Sequence, residues 1–136
     1  MTRNGQDDAA GGISEARAIE GLLAYALTSP RWGGGAVQKV REAVARSRVL
    51  AKRFPGEYTD LLAHSLLTAA RIQLNRGRAI EALPLVQEAV ALARVTGGDR
   101  LIASLHRLAE ALEELHRYSE AAAALAEADQ LPPPSG

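Results

Sequence analysis

The sequence predicts an all-α protein, an α–α solenoid of about three helical hairpins with six helices. Three observations lead there. Apolar residues return at helical spacing along most of the chain, and no run of alternating Val, Ile, Thr or aromatic residues marks a strand. Glycine and proline punctuation divides the periodic stretches into segments of helix length. Finally, an alanine triplet with gaps of 12 and then 7 residues occurs three times: Ala24, Ala36, Ala43; Ala70, Ala82, Ala89; Ala109, Ala121, Ala128. A gap of 7 keeps two alanines on one face of a helix, and a gap of 12 across a turn places them on facing helices of a hairpin. Small residues at matched points let helices approach closely, as stacked hairpins must. With 27 alanines in 136 residues the composition also generates such spacings; one, Ala51, Ala63, Ala70, is set aside because Pro55-Gly56 interrupts it.

Residues 1–12 (MTRNGQDDAAGG) are polar, glycine-rich and without periodicity, and are expected to form a disordered arm ahead of a helical domain over 13–131. Helix 1 is expected to start near Ser14 as N-cap, to carry Ile19, Leu22, Leu23, Ala26 and Leu27 on one face, and to stop at Ser29-Pro30. A glycine-rich connection holding Trp32 leads to helix 2, from Ala36 to about Arg53, which Pro55-Gly56 ends. Helix 3 runs from Tyr58 or Asp60 to Asn75, with Gly77 accepting the left-handed backbone that closes it. Helix 4 covers Ala79 to Val95. Pro84 within it implies a late start or a kink. Gly97-Gly98 precede Asp99, an expected N-cap for helix 5 (Leu101–Leu115), and helix 6 runs from Ser119 to Gln130. Pro132, Pro133 and Pro134 forbid continuation, so 132–136 is a proline-rich tail.

Composition narrows the function classes. Sixteen basic residues balance sixteen acidic ones, which is not the footprint of a nucleic-acid binder. The chain has no cysteine, so disulfides and thiolate metal sites are excluded. No apolar run reaches the roughly 20 residues of a membrane span, and the cytoplasm is the expected location. His64, His106 and His116 lack an HExxH spacing, and the WGGG stretch matches no phosphate-binding loop. No catalytic residue, cofactor or metal is therefore expected. Charge is unevenly placed: helix 2 carries Lys39, Arg41, Arg46, Arg48, Lys52 and Arg53 against one acid, Glu42. The C-terminal segment carries Glu110, Glu113, Glu114, Glu120, Glu127 and Asp129 against Arg117. On a helical wheel Lys39, Arg46 and Arg53 flank one edge of the apolar stripe of helix 2 and Arg41, Arg48 and Lys52 the other, where their stems cover the core.

Leu66, Ala70, Asn75-Arg76-Gly77, Glu81-Ala82-Leu83 and Ala89 form a pattern that resembles the tetratricopeptide repeat. The third hairpin matches it through Leu105, Leu108, Ala109, Leu112, Tyr118, Glu120-Ala121, Ala128 and Pro133. The first hairpin keeps Leu23, Ala24, Leu27, Ala36 and Ala43, with Glu20 at a usually apolar position. Corresponding alanines lie 46 and then 39 residues apart, more than the standard repeat of about 34. Together with the run from Glu42 to Ala51 and the Asp60 to Leu66 stretch, this is similar to the elongated repeats of bacterial regulatory proteins.

The resemblance implies a non-catalytic interaction adaptor, in which the first helix of each hairpin lines a concave groove that takes a peptide or helix of a partner protein. Carried over, the groove positions are Gly21 and Tyr25 on helix 1; His64, Leu67, Arg71 and Asn75 on helix 3; and His106, Glu110 and Glu113 on helix 5. The alternative is a regulatory domain that senses a small molecule in that groove. Helix 6 and Leu131 end the array without a polar capping helix, which suggests self-association or docking of a partner helix there, assisted by the opposed charges of helix 2 and the C-terminal segment.

Overall fold

The computed structural model describes residues 5–28 and 34–132. Among them are six helices and no strand: α1 (Gly5–Thr28), α2 (Gly34–Arg53), α3 (Thr59–Asn75), α4 (Ala79–Thr96), α5 (Asp99–Glu114) and α6 (Tyr118–Gln130). Each helix packs on the next, and in addition α1 packs on α3 and α3 on α5. The even helices α2, α4 and α6 stand farther apart and meet only through side chains. The odd helices therefore form a close inner layer and the even helices a splayed outer one. This is an α–α solenoid of three hairpins, curved with the odd helices on its inner side.

The alanines sit where helices cross. Ala36, Ala43, Ala70, Ala82, Ala89, Ala109, Ala121 and Ala128 are all buried. Ala24 is not: it lies exposed on α1, and Ala26, wholly buried, fills the small position instead. The two-residue shift follows from helix geometry, since one step of about 100° per residue turns Ala24 outward while Ala26 faces α2 and α3 with Ile19 and Leu23. The core has a first cluster around Ile19, Leu23, Val40 and Ile72 and a second around Val86, Leu105 and Leu112. Leu85 packs against both, and against a third built on Leu62, Leu66 and Ala89, so the apolar interior is continuous.

The N-terminal expectation fails over residues 5–12, which are helical and extend α1. Gly12 is buried, and a Cβ there would come within 3.0 Å of both the Phe54 ring and the Tyr58 hydroxyl. These two rings meet edge to face, 5.8 Å between centroids, at the corner between α2 and α3. Asp8 adds an ion pair to Arg53 at 2.9 Å. Packing on this aromatic corner offsets the poor helix propensity of the glycines. Ser14 is consequently a mid-helix residue and no cap. Trp32, residues 1–4 and the tail beyond Pro132 lie outside the described residues.

Two of the inter-helix turns share one design. After α3, the Gly77 amide donates to the Leu74 carbonyl and the Arg78 amide to Gln73, with Gly77 at φ +74°. After α5, His116 donates to Glu113 and Arg117 to Leu112, with His116 at φ +60°. Both are Schellman caps, which satisfy carbonyls left over at the helix end. Between α4 and α5 the chain turns on Gly97 and Gly98, each at positive φ with extended ψ, a conformation open essentially to glycine alone. Gly98, not Asp99, occupies the N-cap position of α5, and Asp99 instead places a negative charge in the first turn, where the helix dipole favours it. Pro84 is interior to α4. Its ring leaves the Ile80 carbonyl without an amide donor, and because both residues are exposed, water can take that place.

Enlarging a buried crossing residue should overpack it. Ala82→Leu and Ala121→Leu are expected to lower stability by about 1–3 kcal/mol, while Ala24→Leu should change it by no more than about 0.5 kcal/mol in urea denaturation. The twin turns should respond oppositely to swapped residues: Gly77→Ala is expected to cost about 1 kcal/mol and His116→Gly to add up to about 1 kcal/mol by the same measurement.

Candidate functional site

Residues 60, 64, 67, 71 and 75 of α3 are spaced by four, three, four and four, and so share one face. This is the inner face, flanked by α1 and α5. His64 and Leu67 are half-buried on it, while Asp60, Arg71 and Asn75 are exposed. Arg100, in the first turn of α5, reaches across to it. Its Nε donates to Asp60 Oδ1 at 3.0 Å and its Nη2 to Oδ2 at 3.2 Å, and its Nη1 lies 3.2 Å from His64 Nδ1.

A guanidinium can only donate, so Nδ1 is the acceptor and the neutral His64 ring carries its proton on Nε2. Burial holds the His64 imidazole below its ordinary value, the Arg100 charge adds to this, and Asp60 and Glu20 oppose it. Glu20 is thus the α1 group whose field reaches this face. The hydrogen bond from Arg100 holds the Asp60 carboxyl below its usual range, against the effect of burial.

On α5, Arg107 lies seven residues beyond Arg100 and donates to Glu110 at 2.6 Å. Glu110 therefore sits on the inner face beside a cation. His106 and Glu113 are exposed but lie about 100–120° round the helix from Arg107. Leu67 packs against the Leu62, Leu66 and Ala89 cluster, which leaves only part of its surface to the groove.

Tyr25 is misplaced by the sequence reading. It lies with Gly21 and Ala18 in a shallow hollow on the free edge of the first hairpin, shared with Lys39 and Arg46 of α2, and the Lys39 ammonium stands 5.8 Å from its ring centre. Groove positions counted along α1 are displaced because Glu20, not Gly21, is turned toward α3. Asp60, Arg100 and Arg107 were missed. Opposite charges in the first turns of α3 and α5, parallel neighbours in a stack of hairpins, were the signal available for the Asp60–Arg100 pair.

The basic residues of α2 divide as the helical wheel implies. Toward α1, Arg46 pairs with Glu15 through two hydrogen bonds and with Glu42 at 2.9 Å, and Arg53 pairs with Asp8. Toward α4, Arg48 makes a two-pronged pair with Glu88. Arg94 of α4 repeats this with Glu127 of α6. Several of the charges assigned to an end-to-end contact, Arg46, Arg48, Arg53, Glu110, Glu120 and Glu127 among them, are in this way paired within the chain, and Leu131 packs against the second core cluster.

Among the described residues no group of three His, Asp or Glu side chains could hold a metal ion, and no helix is long and apolar enough to cross a membrane.

Because the folded protein favours neutral His64, the unfolded chain binds a proton more readily as the pH falls. Stability should be independent of this group above the ordinary histidine value of 6.5 and decline as the pH drops below it. His64→Gln should flatten that part of the profile while retaining the separate decline near pH 4 and below that follows from protonating Asp60; urea titrations across the range measure both.

A scan of protein-family models and a search of curated proteins found no match to this chain.

Proposed function

We propose that the protein is a non-catalytic, cytoplasmic interaction adaptor of tetratricopeptide-like design, which holds an extended peptide or a helix of a partner protein along its inner face. The observation that carries this reading is the direct packing of α1 on α3 and α3 on α5, which joins three separate helices into one continuous surface. Glu20, Asp60, His64, Arg71, Arg100 and Glu110 stand along it, both charge signs are present, and the partly exposed Leu67 adds an apolar point. Such a mixture suits capture of a chain with alternating charge better than a uniform solvated shell would. A role in bacterial regulation is in keeping with the elongated repeat spacing.

A non-catalytic role is favoured by how the inner-face groups are used. His64 Nδ1 is occupied by Arg100, and the Asp60 carboxylate holds that same guanidinium instead of orienting the imidazole. The arrangement supports a fixed Nε2–H donor, suited to a peptide carbonyl.

Affinity selection from a displayed peptide library, followed by titration of the selected peptide, tests the reading. Arg71→Glu is expected to weaken binding by about tenfold or more, the loss associated with one charge-assisted hydrogen bond. Peptides that bind the wild type and Arg71→Glu equally, without perturbing α3 or α5 amide resonances, would rule out the groove.

A further inference from the structure

On the opposite side of the molecule the splay of α2 from α4 opens a cleft of about 350 Å³. Val37, Val40 and Val44 of α2 and Leu85 of α4 form its walls, and Ala69 and Gln73 of α3 its floor. One end is crossed by the Arg48–Glu88 pair. Toward the other end stand Arg41 and Glu81, each seven residues before its counterpart in that pair and each exposed. The helix register sets the two opposite each other, yet among the described residues they form no ion pair.

Gln73 is 94% buried, with 6% of its surface exposed, and lines the cleft. Its Oε1 accepts from Arg76 at 3.3 Å, while among the described residues nothing accepts from its Nε2. No buried side-chain nitrogen or oxygen in the described molecule lacks a partner, so this donor is open to the cleft. The side chain is thus largely buried while its amide nitrogen stays accessible, a donor held in place at the apolar floor of the cleft.

The next gap in the stack provides an internal comparison. Between α4 and α6 a smaller cleft of about 270 Å³ has Leu108 and Leu112 as its floor. At the repeat distance of 39 these correspond to Ala69 and Gln73. Gln87 stands where the first cleft has Arg41, 46 residues earlier, and Glu120, equivalent to Glu81, is taken up by Arg117 at 2.6 Å. One wall changes in the other direction, Leu85 corresponding to Ala124. The first cleft therefore differs from its repeat by a lowered floor, an accessible amide donor on that floor and two charges of opposite sign that form no ion pair among the described residues.

We propose that this outer cleft binds a small zwitterion with an aliphatic body, namely a free aliphatic amino acid or a dipeptide of such residues. The valine and Leu85 walls take the side chain, Arg41 and the Gln73 Nε2 take the carboxylate, and Glu81 takes the ammonium. A purely anionic amphiphile would leave Glu81 facing its carboxylate, and a purely cationic one would leave Arg41 and Gln73 unmatched. The volume is at the lower bound for small-molecule pockets, about 300 Å³, which suits a ligand of this size.

Amide-resonance titration of the full chain with L-leucyl-L-leucine and with L-leucine tests the assignment, using octanoate and heptylamine as single-charge controls. Saturable shifts are expected over residues 37–48 and 81–88, with weaker or no response to the controls. Arg41→Gln and Glu81→Gln, both at exposed positions, should each weaken binding by about tenfold. Ala69→Leu, which copies the floor of the second cleft, should abolish it, and if that variant fails to fold the two charge variants decide. Arg71→Glu on the inner face should leave this binding unchanged, which separates it from the peptide groove. Absence of shifts at the cleft with both zwitterions, equal binding by octanoate, or full binding by Arg41→Gln would each overturn the proposal.

Discussion

Close approach of helices at alanine is the constraint on which the architecture rests. Packed helices lie about 8–10 Å apart, and the lower end is reached only where the contact residues are small. Ala43, Ala70, Ala82, Ala89, Ala109 and Ala121, all buried, supply such contacts in consecutive hairpins. Because each hairpin is drawn tightly to the next through its odd-numbered helix, the even-numbered helices stand apart on the outside of the curve. The continuous inner surface and the outer clefts are two results of one packing rule.

Across the outer gaps the chain places arginine–glutamate bridges that follow the repeat. Arg48 and Arg94 are 46 residues apart, and their partners Glu88 and Glu127 are 39 apart, the same spacings as the alanines. Each bridge is partly solvent-exposed and contributes no more than about 1 kcal/mol. Their value is in register: a bidentate guanidinium accepts a carboxylate in one geometry, so the bridge resists sliding of one even helix past the next. Glu42 holds the equivalent position in α2 and turns to Arg46 within its own helix.

The inner and outer faces differ in how their polar groups are engaged. On the inner face Arg100 is held by a carboxylate and an imidazole contributed by α3, so the charged groups restrain one another and present a surface of fixed shape. In the outer cleft the polar groups Arg41, Glu81 and Gln73 stand over an apolar interior with hydrogen-bonding capacity unspent. Ala69 and Gln73 connect the two, since they lie on α3, whose opposite side carries His64 and Arg71. The floor of the outer cleft and the centre of the inner face are thus two sides of one helix.

Helical class, the number of helices and most of their boundaries were readable in the sequence, because a 3.6-residue apolar period and glycine or proline stops are local properties. The buried alanines of the second and third hairpins were readable for the same reason, and so was the common face of His64, Arg71 and Asn75. Tertiary structure alone decided what depends on contact between distant segments. Gly5 to Gly12 extend α1, with Gly12 fitted against Phe54 and Tyr58, a contact with residues more than 40 positions away. Ala24 turns outward and Tyr25 leaves the groove because the rotation of α1 is set by its packing on α2 and α3. The Asp60–His64–Arg100 cluster and the cleft under Arg41 likewise join residues about 40 positions apart. A helical period fixes which residues share a face, but the neighbour that face meets is chosen by how whole helices pack.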